Sequence, residues 1–222
     1  MDIIETAINE GRNILSEHEA TSLLASYGVP TARQLLVHNR GELAAALSEL
    51  GYPLVLKGCS PTISHKTEKN LVHLDVRTES EATAAYDAIV AAMNGGNGAV
   101  LVQEMIKGGR ELVVGLTRDP QFGPCVMFGL GGIFTEILKD VAFRLAPLEK
   151  ADALDMMRDI RGYKILDAVR GMEKVDQEAL ANILINIGRI GVENERVKEI
   201  DINPVIIRGK DPVAVDALVV LH

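Results

Sequence analysis

Glu199-Ile200-Asp201-Ile202-Asn203-Pro204-Val205-Ile206-Ile207-Arg208, then Gly209-Lys210, then Val213-Ala214-Val215-Asp216, reads as a hairpin. Glu199, Asp201 and Asn203 alternate with Ile200 and Ile202, so in a strand the three polar side chains share one face and the isoleucines fill the other. Gly209-Lys210 suits a two-residue turn with glycine first. Pairing Arg208 with Asp211 and counting outward puts Asn203 opposite Asp216, about 5 Å apart at the Cβ atoms. Two oxygen ligands then converge from neighbouring strands. That donor set fits Mg2+, which binds oxygen at roughly 2.1 Å and relies on one or two protein carboxylates plus waters and substrate phosphates. The alternative is a solvated acidic strand face.

The rest of the chain sets the context for that hairpin. Its 222 residues, 47% of them hydrophobic, suffice for one large or two small cores. The net charge of −8 repels nucleic acid and anionic membrane surfaces, so any polyphosphate must be held by local lysines and backbone amides. Cys59 and Cys125 form no CxxC pair and read as small buried residues. No apolar run approaches the ~20 residues of a membrane span, and the N-terminus lacks a signal pattern. A soluble, cytoplasmic protein is expected.

Periodicity predicts helices over residues 17–27, 41–50 and 79–93, with strands at 34–37, 52–57 and 71–76. Gly95-Gly96-Asn97-Gly98 breaks the chain. Beyond it come strands at 99–106, 111–117, 125–129, another through Glu136, and 142–145. Helices follow near 149–158, 163–169 and 176–194, before the hairpin. The expected organisation is an N-terminal extension (1–15), a first lobe (16–98) and a second lobe (99–222). This is an α+β plan of two α/β lobes, with a ligand in the cleft between them.

Four further segments carry chemistry. Lys57 ends an apolar strand, where its ammonium either reaches water or meets a phosphate. Gln103-Glu104-Met105 closes an apolar strand that breaks at Gly108-Gly109, offering backbone groups to a flat heterocycle, with Glu111 placed for ribose hydroxyls. Gly131 and Gly132, within Gly129-Leu130-Gly131-Gly132, let backbone N–H groups approach an anion, and Arg144 could grip a phosphoryl group in bidentate fashion. No Lys-Ser/Thr follows, so this is not a P-loop. His65, in the polar loop 60–70 with Lys66 and Lys69, suits a phosphoryl-accepting imidazole.

Ser60-Pro-Thr-Ile-Ser-His-Lys-Thr, Gly129-Leu-Gly-Gly-Ile-Phe-Thr-Glu, Phe143-Arg-Leu-Ala-Pro-Leu and Glu199-Ile-Asp-Ile-Asn-Pro together resemble an ATP-grasp domain. Specifically, the chain is similar over 15–221 to the β subunit of NDP-forming acyl-CoA synthetases, such as ADP-forming acetate–CoA ligase, relatives of succinyl-CoA synthetase. The resemblance implies that Lys57 meets nucleotide phosphate, Gln103 to Met105 form the adenine hinge and Glu111 stands behind the ribose. It implies Asn203 and Asp216 as magnesium ligands, ATP/ADP as substrate, and His65 as the relay to a partner α subunit carrying the CoA and acyl phosphate chemistry, in a heterotetramer. One departure stands out. The family commonly follows its histidine with an acidic residue and two glycines, whereas Glu68-Lys69-Asn70-Leu71 here stiffens the loop. Two other readings share the fold: a carboxylate–amine ligase without phosphohistidine, and a non-catalytic nucleotide-sensing subunit.

Overall fold

The computed structural model describes residues 3–60, 71–93, 98–132, 140–169 and 171–222. They form two compact units: an N-terminal unit of Ser16–His18 and Ala32–Met105, and a C-terminal unit of Met1–Leu15, Glu19–Thr31 and Ile106–His222. This division differs from the expected boundary after residue 98. The strand over 99–104 pairs with strands on both sides inside the N-terminal sheet, and a central strand cannot leave its sheet.

In the N-terminal unit, β1 (Gln34–Val37), β2 (Leu54–Cys59), β3 (Val72–Val76) and β4 (Ala99–Glu104) form an antiparallel sheet in the order β1-β4-β2-β3. Helices α3 (Arg40–Leu50) and α4 (Glu79–Ala92) cover one face. Their apolar stripes, Leu43, Ala46, Leu47 and Leu50 on α3 and Ala82, Ala85, Tyr86 and Ile89 on α4, meet Leu54, Leu56, Val100 and Val102 of the sheet. Asn39 and Thr78 start these helices by accepting from the backbone amides of Glu42 and Glu81, which satisfies donors the first turn leaves open. Lys57 pairs in register with Val72 and Leu101, and Val55 with Gln103, so Lys57, Val55, Leu101 and Gln103 share the face turned away from α3 and α4.

The helices α1 (Ile3–Asn9) and α2 (Glu17–Ser26) precede that sheet in the chain, and α1 went unforeseen within the expected extension. In the C-terminal unit, β5 (Glu111–Asp119), β6 (Gly123–Leu130), β7 (Val141–Leu145), β8 (Val197–Arg208), β9 (Asp211–Ala214) and β10 (Leu218–Leu221) form a second antiparallel sheet. Its order is β10-β8-β5-β6-β7, with β9 also on β8. Helices α5 (Lys150–Asp159) and α6 (Gln177–Glu193) pack on one face. Leu112, Val114, Leu116, Val126, Phe128, Ile200 and Ile202 point into that core with Met156, Met157, Leu180, Leu184 and Ile187. The expected helix over 163–169 is a single 3-10 turn, Tyr163–Leu166.

Residues 95–97 of the predicted glycine break, the loop bearing His65 and the expected strand through Glu136 lie outside the described residues.

Candidate active site

The hairpin that opened the sequence reading forms with the register expected from its turn. Arg208 pairs with Asp211, and the ladder runs to Val205 and Ala214, with the Val215 amide donating to the Pro204 carbonyl at 3.2 Å. The same register resumes on the far side, where Asp201 pairs with Leu218 and Ile200 with Val219. Carrying that shared register through residues 215–217, between the two strands, puts Asp216 opposite Asn203. On its other edge, β8 pairs with β5 through a register shift, so that Asn203 and Pro204 together face one residue, Val113. This is a β-bulge, a device that re-aims side chains next to sites. Asn203 is exposed there, while Ile202 and Val205 on either side of the bulge are buried.

The electrostatics of this face follow from its carboxylates. Burial pushes the Asp201 carboxyl above the ordinary carboxylate range, and the negative charges of Glu199 and Asp216 push it the same way. Asn203 and Asp216 each carry a hard oxygen donor of the kind magnesium takes. Among the described residues no three His, Cys, Asp or Glu side chains form a closed cage. That arrangement fits magnesium, which keeps its waters and takes the remaining ligands from phosphates.

Glu111 and the glycine turn are brought together in the same unit. The Gly131 amide donates to the Glu111 carbonyl at 2.8 Å. Gly132 has φ 62°, and a Cβ placed on it would lie 2.6 Å from Glu111 Oε2. The positive φ favours glycine here, while the Glu111 carboxylate, at the end of an exposed side chain, could swing aside from a Cβ. Gly108, read above as part of a hinge, owes its identity instead to close approach: a Cβ there would run into the Ile207 carbonyl of β8.

Two other expectations need correction. Arg144 pairs in register with Val126 and so lies on the helix side of the sheet, opposite to the face of Glu111 and Asp201. Its guanidinium bonds to Asp159 of α5 and to the Phe143 carbonyl, not toward the glycine turn. At the end of β4, the amides of Glu104 and Met105 already donate to the carbonyls of Arg33 and Pro53, and the Glu104 carboxylate holds Arg33. A purine edge at this end would find its N–H donor beyond Met105. Gln103 is buried, its amide donating to Gln34 Oε1 at 3.3 Å.

Lys57 is neither a surface lysine nor a free one. It is 7% exposed, and its Nζ donates to Glu17 Oε1 at 2.6 Å, with the Glu17 side chain 1% exposed. Both residues belong to the N-terminal unit. Sequence reading missed Glu17, as it missed Asp140 and Arg110. Asp140, buried between the glycine turn and α5, accepts the amides of Arg161 and Gly162 at 2.8 and 2.7 Å. Arg110, beside Glu111, donates to the carbonyls of Ile165, Asp167, Glu173 and Gly209, and so ties the hairpin turn to the segment before α6.

Residues 6–221 match the ATP-grasp domain family. The chain belongs to it. This ATP-grasp chain is 44% identical over 225 residues to the β subunit of ADP-forming acetate–CoA ligase I of Pyrococcus furiosus, covering 99% of this chain and 97% of that one. Its fold superposes on that of a dinucleotide-forming acetyl-coenzyme A synthetase of Ca. Korarchaeum cryptofilum, solved with coenzyme A and Ca-AMPCP, with a TM-score of 0.94 and 45% identity, covering 100% and 99% of the two chains. A second structure of that enzyme holds coenzyme A and Mg-AMPPCP with a phosphohistidine segment pointing towards the nucleotide binding site. It matches with a TM-score of 0.89 and 45% identity, over the same shares of each chain. No helix among the described residues is long and apolar enough to cross a membrane.

Proposed function

We propose that this chain is the nucleotide-binding β subunit of an ADP-forming acyl-CoA synthetase of the acetate–CoA ligase type. The observation that carries the reading is likeness along the whole length: 44% identity spanning 99% of this chain and 97% of a named β subunit. A shared fold alone would leave the chemistry open. A match end to end at this identity supports carrying the relative's activity, as well as its fold, into the proposal.

In this reading Lys57 and the glycine turn at Gly131 and Gly132 receive the phosphates, the turn through the amide of Gly132 because that of Gly131 is bonded to the Glu111 carbonyl, and the Glu111 carboxylate receives the ribose. Asn203 and Asp216 hold magnesium, which when bound supplies neutralising charge to the phosphate oxygens. A partner α subunit forms the acyl phosphate and captures its phosphoryl group on a histidine, from which His65 accepts it as the donor P–N bond breaks. The P–N bond on His65 then breaks as a terminal phosphate oxygen of ADP forms the new P–O bond, giving ATP and regenerating neutral imidazole. Pairing of two α with two β chains, and a cytoplasmic location, belong to the same proposal.

The test is reconstitution with the α subunit and acetyl-CoA, phosphate and Mg·ADP, scored for ATP and for acid-labile phosphate on this chain. ATP formation in the wild type, lost together with the acid-labile label in His65→Ala, is the expected result. ATP formation that survives in His65→Ala would remove the relay, and saturable Mg·ADP binding that never appears would remove the whole reading.

A further inference from the structure

An ammonium buried to 7% exposure in an apolar strand must be both neutralised and aimed if it is to meet a phosphate. The neighbours of Lys57 on its own sheet cannot do this. Val72 and Leu101 flank it in register, and on the adjacent rows of the same face stand Val55 and Gln103, the latter bonded to Gln34. Among the described residues, a charge that reaches Lys57 comes from 40 residues earlier in the chain, at the first position of α2. Glu17 Oε1 lies 2.6 Å from Nζ, and the two side chains are 1% and 9% exposed.

From this geometry we infer that Glu17 is the positioning residue of the phosphate lysine: its carboxylate pins one N–H of Lys57 and leaves the ammonium directed and charged for a nucleoside di- or triphosphate. The inference rests on the reading of Lys57 given under the proposed function. A lysine stem has four rotatable bonds and about 2 kcal/mol of rotamer entropy, so an unpinned ammonium loses its aim before it loses its place in the strand. Helix α2 starts at Glu17, which fixes the carboxylate to a rigid element. His18, the next residue, is held at 3.5 Å from the Gln34 side chain, so the start of α2 is anchored to the sheet at two neighbouring points.

A positioning role separates from a merely structural one by the dependence on phosphate. Binding of Mg·ADP and of adenosine to the full chain, measured by calorimetry, gives an affinity ratio that reports the phosphate contacts alone. In Glu17→Ala that ratio is expected to fall about tenfold, the equivalent of one charge-assisted hydrogen bond, with adenosine binding little changed. Glu17→Gln, which keeps an oxygen acceptor, is expected to recover part of the loss. A parallel fall for both ligands makes Glu17 structural only, and a ratio that rises makes it a competitor of the phosphate; either overturns the inference. Should Glu17→Ala fail to fold, Glu17→Asp, which withdraws the charge by one methylene, carries the same comparison. The double variant Lys57→Met/Glu17→Met separates the two claims. If it keeps the wild-type preference for ADP, the reading of Lys57 fails; if it loses that preference while the Glu17 single variants keep it, only the positioning role fails.

Discussion

The two units bury charge in opposite ways. In the N-terminal unit Lys57 and Glu17 are of opposite sign, 2.6 Å apart and almost fully enclosed. In the C-terminal unit Asp201 is half-buried with Glu199 and Asp216 as its charged neighbours, all of one sign. The first pairs opposite charges; the second gathers like ones around Asp201. Under the proposed function, a cation on this face would offset the charge that raises the Asp201 carboxyl, whereas an anion meeting Lys57 would share an ammonium already engaged by Glu17. The Glu17 carboxylate accounts for how an ammonium is accommodated in an apolar strand, and the bulge in β8 leaves Asn203 exposed on the acidic face.

The largest expected effect breaks the N-terminal pair from one side. Lys57→Met leaves the Glu17 carboxylate buried without its cation and should cost about 3–5 kcal/mol. Lys57→Met/Glu17→Met removes both charges and should recover most of that loss, because the pair's own attraction is largely offset by desolvation. Chemical denaturation of the three proteins checks this. A double variant no more stable than the single would show that Glu17 is satisfied by groups other than Lys57.

Asp140 offers a third solution, a buried anion held by two backbone amides. Asp140→Ala strips both amides of their acceptor and is expected to cost about 2–3 kcal/mol, with Asp140→Asn between it and the wild type. The melting midpoint reads this directly. Equal midpoints for the Ala and Asn variants would mean that the amides find other acceptors.

How far this contrast could be seen beforehand differs between the two units for a physical reason. The hairpin was legible because its information is local: alternation assigns the faces, and Gly209-Lys210 sets the register, which holds through the gap at 215–217. The Lys57–Glu17 pair spans 40 residues, and a glutamate opening a helix normally faces water, so nothing in the pattern pointed to it. Arg144 was misplaced because β7 inverts the usual rule. Phe143 and Leu145 are exposed there, while Ala142 and Arg144 turn to the helices, so residue type along this strand gives no sign that Arg144 faces α5. The lobe boundary failed similarly, since a glycine-rich break in the sequence does not say which sheet the next strand will join.

Glu111 presents an exposed carboxylate beside Gly132. Gly132→Ala forces a left-handed backbone angle on a residue with a Cβ, at about 1–2 kcal/mol. It also makes the Glu111 carboxylate swing aside from that Cβ. A smaller midpoint shift than for Asp140→Ala, with nucleotide affinity falling alongside, is the expected pattern. An unchanged affinity would detach the glycine turn from the site.

The smallest effect has the opposite sign. Because burial, with Glu199 and Asp216, raises the Asp201 carboxyl above its ordinary range, the folded chain binds that proton more tightly than the unfolded chain does. Ionised Asp201 therefore subtracts stability at neutral pH, and the subtraction disappears as pH falls through the folded-state value. Asp201→Asn should accordingly stabilise the metal-free protein by a few tenths to about 1 kcal/mol at neutral pH, and by less in acid. Saturating Mg·ADP should shrink the advantage, since a cation on this face offsets the same repulsion. If the gain persists undiminished with Mg·ADP bound, the acidic face is not where the metal sits. If no gain appears without metal, the repulsion inferred among the three carboxylates is too well screened by solvent to set this face apart from the paired charges of the N-terminal unit.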